Sequence, residues 1–232
     1  MYIAIEGIKG TGKSTLLTAL TPHLHTYCDA KKQSVALFYP TKPIPEDHHL
    51  ERCFDKSQSD DTYLRALYAA RSNYHASRVD WNADLIISDR SILTSLAVRW
   101  ENAFQANLSP RQHYEQVRSQ EYEIAIPDII IQLDTCNDIL LQRYAKRARQ
   151  YGQQEETLDS ILNMKNSYKQ LLQWLNAKQA RELIGKSISV YKFNTSTSSI
   201  ESICQQSLSL IQQNFANINS EFFLKNPYSP IY

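Results

Sequence analysis

Residues 7–14 read GIKGTGKS, directly after the short apolar run YIAIE at 2–6. The chain uses only five glycines in 232 residues, and Gly7, Gly10 and Gly12 all fall in this stretch. Glycine is entropically costly and serves where a backbone turns sharply or is approached closely. Tyr2 to Glu6 reads as a buried strand, and from Ser14 a helical pattern places Leu16, Leu17, Leu20 and Leu24 on one face. Between strand and helix, G-x-x-x-x-G-K-[ST] is the spacing of a P-loop, whose successive backbone N–H groups surround a phosphate at a helix N-terminus. The expectation is a nucleotide polyphosphate held by Gly7, Gly10, Thr11, Gly12, Lys13, Ser14 and Thr15, with Lys9 in the same loop. Lys13 would reach the β- and γ-phosphates, and Ser14 would ligate Mg²⁺.

Downstream the pattern repeats. SVALFY from Ser34 reads as a second strand, stopped by three prolines in residues 40–45. A helix is expected over Asp61 to Trp81, then a strand in ADLIISDR, a helix begun by Ser91, and a strand in IPDIIIQLD. Helices over Asn137 to about Gln150 and Glu155 to about Ala180, a fifth strand in ISVYKF and a helix over Thr195 to Asn214 complete the series. Strands alternating with helices predict an α/β fold: a five-stranded parallel sheet with helices on both faces. Ligands in such sheets bind outside the carboxyl ends of the strands, which puts Glu6, Asp89 and Asp134 on the ligand side. Residues 1–215 are expected to form one domain, with 216–232 as an apolar, proline-broken tail.

Composition narrows the class. Hydrophobic residues at 42%, charged residues at 21% and a formal net charge of +1 describe an ordinary globular chain. They make no electrostatic case for nucleic acid or an anionic membrane. No apolar run reaches the length of a membrane span, and the opening lacks the basic start and longer apolar stretch of a secretory signal. The four cysteines show no metal-ligand spacing. A cytoplasmic setting is expected.

Asp89 and Arg90, in LIISDRS, stand where an acid can orient Mg²⁺ and an arginine can hold a phosphate bidentately. Arg71 lies four residues after Leu67 on an apolar helix stripe; it reads equally as a snorkelling edge residue or as one pointing into a cleft. Arg143, Lys146, Arg147 and Arg149 form a basic segment, followed by a glycine, over about 143–156. A solvated helix face and a mobile phosphate-closing lid both fit it.

Together these residues resemble the thymidylate kinase family. The likeness runs from Tyr2 to about Leu210 and rests on IAIEGIKGTGKST, FYPTKP, LYAAR, ISDRS, PDIIIQLD, the basic lid, a helix ending near Tyr168 and YKFNTS. It implies a P-loop NTPase fold and transfer of the ATP γ-phosphoryl group to a deoxynucleoside monophosphate, dTMP first among them. It also implies roles. Arg71 would contact the acceptor base, Arg90 its phosphate, and Tyr39, Leu67 and Ser95 would line the acceptor site. Asp89 would serve the metal, and Arg143 and Asn194 would border the ATP. Arg147 or Arg149 would close over the transferring group. The implied partners are ATP, Mg²⁺ and the monophosphate, with no nucleic acid or membrane and with a homodimer left open.

Three departures fall on the acceptor side. Lys9 stands where the family usually carries an acid; it either faces the acceptor, turns to solvent, or pairs with Glu6 or Asp89. Leu67 replaces an aromatic residue, and Ser91 follows the SDR motif in place of an aromatic or histidine. Ser91 and the arginine pattern also resemble the deoxynucleoside kinases, but those carry a glutamate base where this chain has TKP. A catalytically weak nucleotide-binding paralogue is the other alternative.

Overall fold

The computed structural model describes residues 1–45, 48–52, 61–147 and 156–225, with side chains for all of these except 61, 147 and 216–225. Five strands form one parallel sheet: β1 (Tyr2–Glu6), β2 (Val35–Phe38), β3 (Leu85–Asp89), β4 (Ile129–Asp134) and β5 (Ser189–Asn194), in the order β2-β3-β1-β4-β5. β1 is central, so the loop that follows it opens at the middle of the sheet's carboxyl edge. β3 pairs with β1 on one side and β4 on the other, and the connections leave β1 toward β2 on one side and β3 toward β4 on the other, which is where a doubly wound sheet binds its ligand.

Alternation along the buried strands divides the core. Ile3 and Ile5 of β1, Ile87 of β3 and Ile131 of β4 pack with Leu16, Leu20 and Leu24 of α1 (Lys13–Ala30) and Ile203 and Ile211 of α10 (Ile200–Lys225). On the other face Tyr2, Ala4, Ile86 and Ile130 pack with Leu93 and Leu96 of α4 (Ile92–Val98), Val117 of α6 (Pro110–Gln120), Tyr144 of α7 (Asn137–Arg147) and Tyr168 and Leu171 of α8 (Leu158–Leu175). Three layers result, as the alternating pattern requires. No helix among the described residues is long and apolar enough to cross a membrane.

The helices depart from the sequence reading in several places. α3 (Asp61–Ala76) ends five residues before Trp81, whose indole Nε1 folds back to donate to the Ala76 carbonyl at 2.8 Å. The helix expected to Ala180 breaks where Ala177 turns extended (φ −70°, ψ 147°), which divides it into α8 and α9 (Lys178–Ile184). α5 (Trp100–Gln105) and α6 were not expected, although Ser109 and Gln112 form a capping box with Pro110 at the first helical position. α10 begins at Ile200 and runs through 215 to Lys225, so the expected tail boundary falls inside a helix; 226–232 lie outside the described residues.

Candidate active site

The phosphate loop is closed on itself by hydrogen bonds. Thr11 Oγ1 and Lys13 Nζ each donate to the Ile8 carbonyl at 2.9 Å, and both side chains are buried. Gly12 caps α1 in the left-handed region (φ 96°, ψ 16°). A Cβ there would meet nothing within 4 Å, so the backbone angle alone calls for glycine. Gly7 is different: a Cβ would stand 2.3 Å from the Leu133 carbonyl oxygen, so the loop lies against β4 more closely than any side chain permits.

Across the carboxyl edge, Ser14 Oγ donates to Asp89 Oδ2 at 2.5 Å. Asp89 Oδ1 is buried and has no hydrogen-bond partner among the described residues. An unsatisfied buried carboxylate oxygen is costly, and beside a hydroxyl it forms the hard-oxygen pair that suits Mg²⁺. Among the described residues no group of three or more His, Cys, Asp or Glu could hold a metal. One carboxylate and one hydroxyl suit an ion that takes its remaining oxygens from phosphates and water. Tyr39, half-buried just after β2, has its hydroxyl pushed up by burial and by Asp89, and Lys42 Nζ sits 3.4 Å over its ring.

Arg90 follows Asp89 with φ 80°, a left-handed angle on a non-glycine residue. Its N–H donates to the Ile5 carbonyl at 3.0 Å, and its Nη1 lies 3.3 Å from Thr94 Oγ1. Burial works against its charge, but Tyr168, Glu6 and Asp89 outweigh that and raise its pKa. The guanidinium is cationic at every working pH.

On the nucleotide side, Arg143 does not belong to a solvated face. Its Nη1 donates to the Gly10 carbonyl at 2.9 Å and to Thr195 Oγ1 at 3.2 Å, and its Nη2 donates to the Thr195 carbonyl at 3.1 Å. The arginine thus joins the phosphate loop to the turn after β5. In that turn Asn194 Oδ1 accepts from Ser196 N at 2.8 Å. Tyr144 OH donates to the Lys9 carbonyl at 2.6 Å, which holds the other flank of the loop. The side chain of Arg147, all of Arg149 and the remaining lid residues at 148–155 lie outside the described residues.

The acceptor side differs most from expectation. Lys9 Nζ forms an ion pair with Glu156 Oε1 at 2.8 Å; Glu6 and Asp89, the partners foreseen, are not the ones it takes here. Arg71 Nε and Nη2 make a two-pronged pair with Glu51 of α2 (His49–Arg52), at 2.6 and 2.7 Å, with the guanidinium 5.6 Å over the Tyr68 ring. Leu67 is fully buried, at 0% exposure. Half-buried Tyr68 is the aromatic beside Arg71. Ser95 is also buried, as is Glu121, whose carboxyl burial pushes up.

A family model described as thymidylate kinase matches residues 5–188. The chain belongs to the thymidylate kinase family. It is 26% identical over 204 residues to a probable thymidylate kinase 1 of Saccharolobus solfataricus, covering 83% of this chain and 97% of that protein. It is 28% identical over 199 residues to the thymidylate kinase of Acinetobacter baylyi, covering 79% and 94%. The fold is similar to that of Candida albicans thymidylate kinase, with a TM-score of 0.58 at 16% identity over 92% of this chain and 91% of that one. The Ehrlichia chaffeensis enzyme gives a TM-score of 0.56 at 14% identity, over 91% and 98%. The chain is accordingly a nucleoside monophosphate kinase of P-loop fold that uses ATP as its phosphate donor.

Glu51, Glu156, Thr195 and Glu6 are all partners of expected site groups. Glu51 carried no signal in the sequence, whereas Glu6 did, as an acid at the end of a buried strand.

Proposed function

We propose that this kinase transfers the γ-phosphoryl group of ATP to dTMP, giving dTDP and ADP. The observation that carries the reading is the convergence of Lys13, the Ser14–Asp89 pair and Arg90 at the carboxyl ends of β1 and β3. An oxygen of the acceptor phosphate attacks the γ-phosphorus, and the bond from that phosphorus to the β,γ-bridging oxygen breaks. The attacking oxygen is already an anion, so the site needs positioning and neutralisation of charge, not a strong base. Lys13 and the loop amides hold the β- and γ-phosphates, and Arg90 holds the acceptor phosphate. Mg²⁺ held by Ser14 and Asp89 would neutralise charge on the transferring phosphates. Arg143 and Asn194 border the nucleotide donor, and Tyr39 and Arg71 the acceptor. Arg147 and Arg149 are assigned to the transferring group by the family likeness. The same reading takes 1–215 as one kinase unit, in the cytoplasm, with a homodimer as the assembly to test.

A deoxynucleoside kinase would need a general base after β2, and this chain places Lys42 there, over Tyr39. An ADP-release assay with purified protein decides between the readings. dTMP should be turned over faster than the other deoxynucleoside monophosphates and far faster than thymidine. Turnover of the nucleoside alone would identify a nucleoside kinase, and ATP binding without turnover of either would identify the weak paralogue.

A further inference from the structure

Glu6 is 1% exposed and is the last residue of β1, immediately before the phosphate loop. Its carboxylate accepts four hydrogen bonds. Oε1 takes Ser91 N at 2.8 Å and Ser91 Oγ at 2.7 Å; Oε2 takes Thr94 Oγ1 at 2.9 Å and Tyr168 OH at 2.9 Å. All four donors are neutral, so the carboxylate is solvated as an anion by groups from α4, its cap and α8. Burial, and then Glu6 itself, push the Tyr168 hydroxyl up, which keeps it a donor.

Two features tie this anion to Arg90. The first is backbone. Arg90 holds φ 80°, a conformation that is costly for a non-glycine residue and persists where surrounding bonds over-determine it. The amides on either side of that angle are both fixed to β1: Arg90 N to the Ile5 carbonyl and Ser91 N to Glu6 Oε1. The second is the side chain. A threonine hydroxyl has one proton. Once Thr94 gives it to Glu6 Oε2, it turns a lone pair outward, and Arg90 Nη1 lies 3.3 Å from that oxygen. The order Arg90 to Thr94 to Glu6 follows from the carboxylate being an acceptor only.

We propose that Glu6 is a positioning residue for Arg90, setting its left-handed backbone through Ser91 and its guanidinium through Thr94 toward the acceptor phosphate. This rests on the proposed function, in which Arg90 meets that phosphate. Removal of the hydroxyl link should therefore weaken handling of the acceptor and leave ATP alone.

The test is a double-mutant cycle between Thr94→Val, which keeps the side chain's shape, and Arg90→Ala. dTMP affinity is read by calorimetry, and KM and kcat for dTMP and ATP by ADP release, with Tm recorded for each protein. Thr94→Val and Glu6→Gln should each lower kcat/KM for dTMP on the order of tenfold, the effect of one charge-linked hydrogen bond, with KM for ATP unchanged. In the Arg90→Ala background Thr94→Val should add almost nothing, because a residue acting through Arg90 has nothing left to position. A lower Tm with unchanged dTMP kinetics overturns the proposal, as does a Thr94→Val loss that adds in full to that of Arg90→Ala. If the wild type binds dTMP but transfers no phosphoryl group, the proposed function fails, while the same cycle on dTMP affinity, run also with Glu6→Gln in place of Thr94→Val, still decides Glu6. No dTMP binding by the wild type overturns both.

Discussion

Lys9 in the phosphate loop and Glu156, just ahead of α8, form an ion pair of 2.8 Å in which the glutamate side chain is 9% exposed and the lysine 22%. The lysine is therefore engaged with the segment that follows the basic helix. Lys9→Glu would set two carboxylates against each other in a half-buried place and should cost on the order of 1–2 kcal/mol. Adding Glu156→Lys should recover most of it. Thermal unfolding of the two single variants and the double reads the coupling, and additive losses would show that the pair contributes nothing. The preference for dTMP over other deoxynucleoside monophosphates should be unaltered by Lys9→Ala; a changed ratio would place Lys9 at the acceptor instead.

Lys13→Ala should leave the fold intact and lower kcat by on the order of 10²–10³, the loss typical of one preorganised contact to developing charge. Near-normal turnover with an unchanged circular dichroism spectrum would remove the loop from catalysis.

Arg143→Ala breaks the link from Gly10 to Thr195 and should raise KM for ATP about tenfold, as expected for loss of charge-assisted hydrogen bonds that shape the nucleotide side. KM for dTMP should change little. Equal effects on both substrates would mean that the loop as a whole had shifted.

Glu51 carries a pH signature. The hydrogen bonds from Arg71, above all, hold its carboxyl below the ordinary carboxylate range. A depressed native pKa means that the stabilisation is fully present above the unfolded value of about 4.3 and fades as pH falls through the native one. Glu51→Gln should cost about 1 kcal/mol at neutral pH, and wild type and variant should converge in Tm on acidification below that value. A gap that stays constant down to strongly acidic pH would rule out ionisation as its source.

Cys136 is exposed at the start of α7. The Ser196 hydroxyl, and then the Ile139 N–H, draw its thiol below the usual range, whereas burial pushes Cys28 and Cys204 up. Iodoacetamide should modify Cys136 ahead of those two, at a lower pH than an ordinary thiol requires. Ser196→Ala should move that pH profile upward. ATP should slow the reaction if Asn194 and its turn border the nucleotide; peptide mass spectrometry identifies the site, and indifference to ATP would place the nucleotide elsewhere.

The amino-acid sequence by itself determined the fold class and the position of the phosphate loop. Those are local facts. A glycine spacing between an apolar strand and an amphipathic helix admits few backbones, and an acid and an arginine at a strand end follow the strand to the carboxyl edge. Tertiary structure decided which partner each charged side chain takes. Lys9 meets Glu156 from 147 positions away, Arg71 meets Glu51, and Glu6 gathers hydroxyls from residues 91, 94 and 168. No spacing rule links such pairs, because their distance in space is set by how the helices pack on the sheet. Leu67 shows the same limit: its helical stripe was legible, but whether that stripe faced a ligand or the interior depended on the elements packed against it.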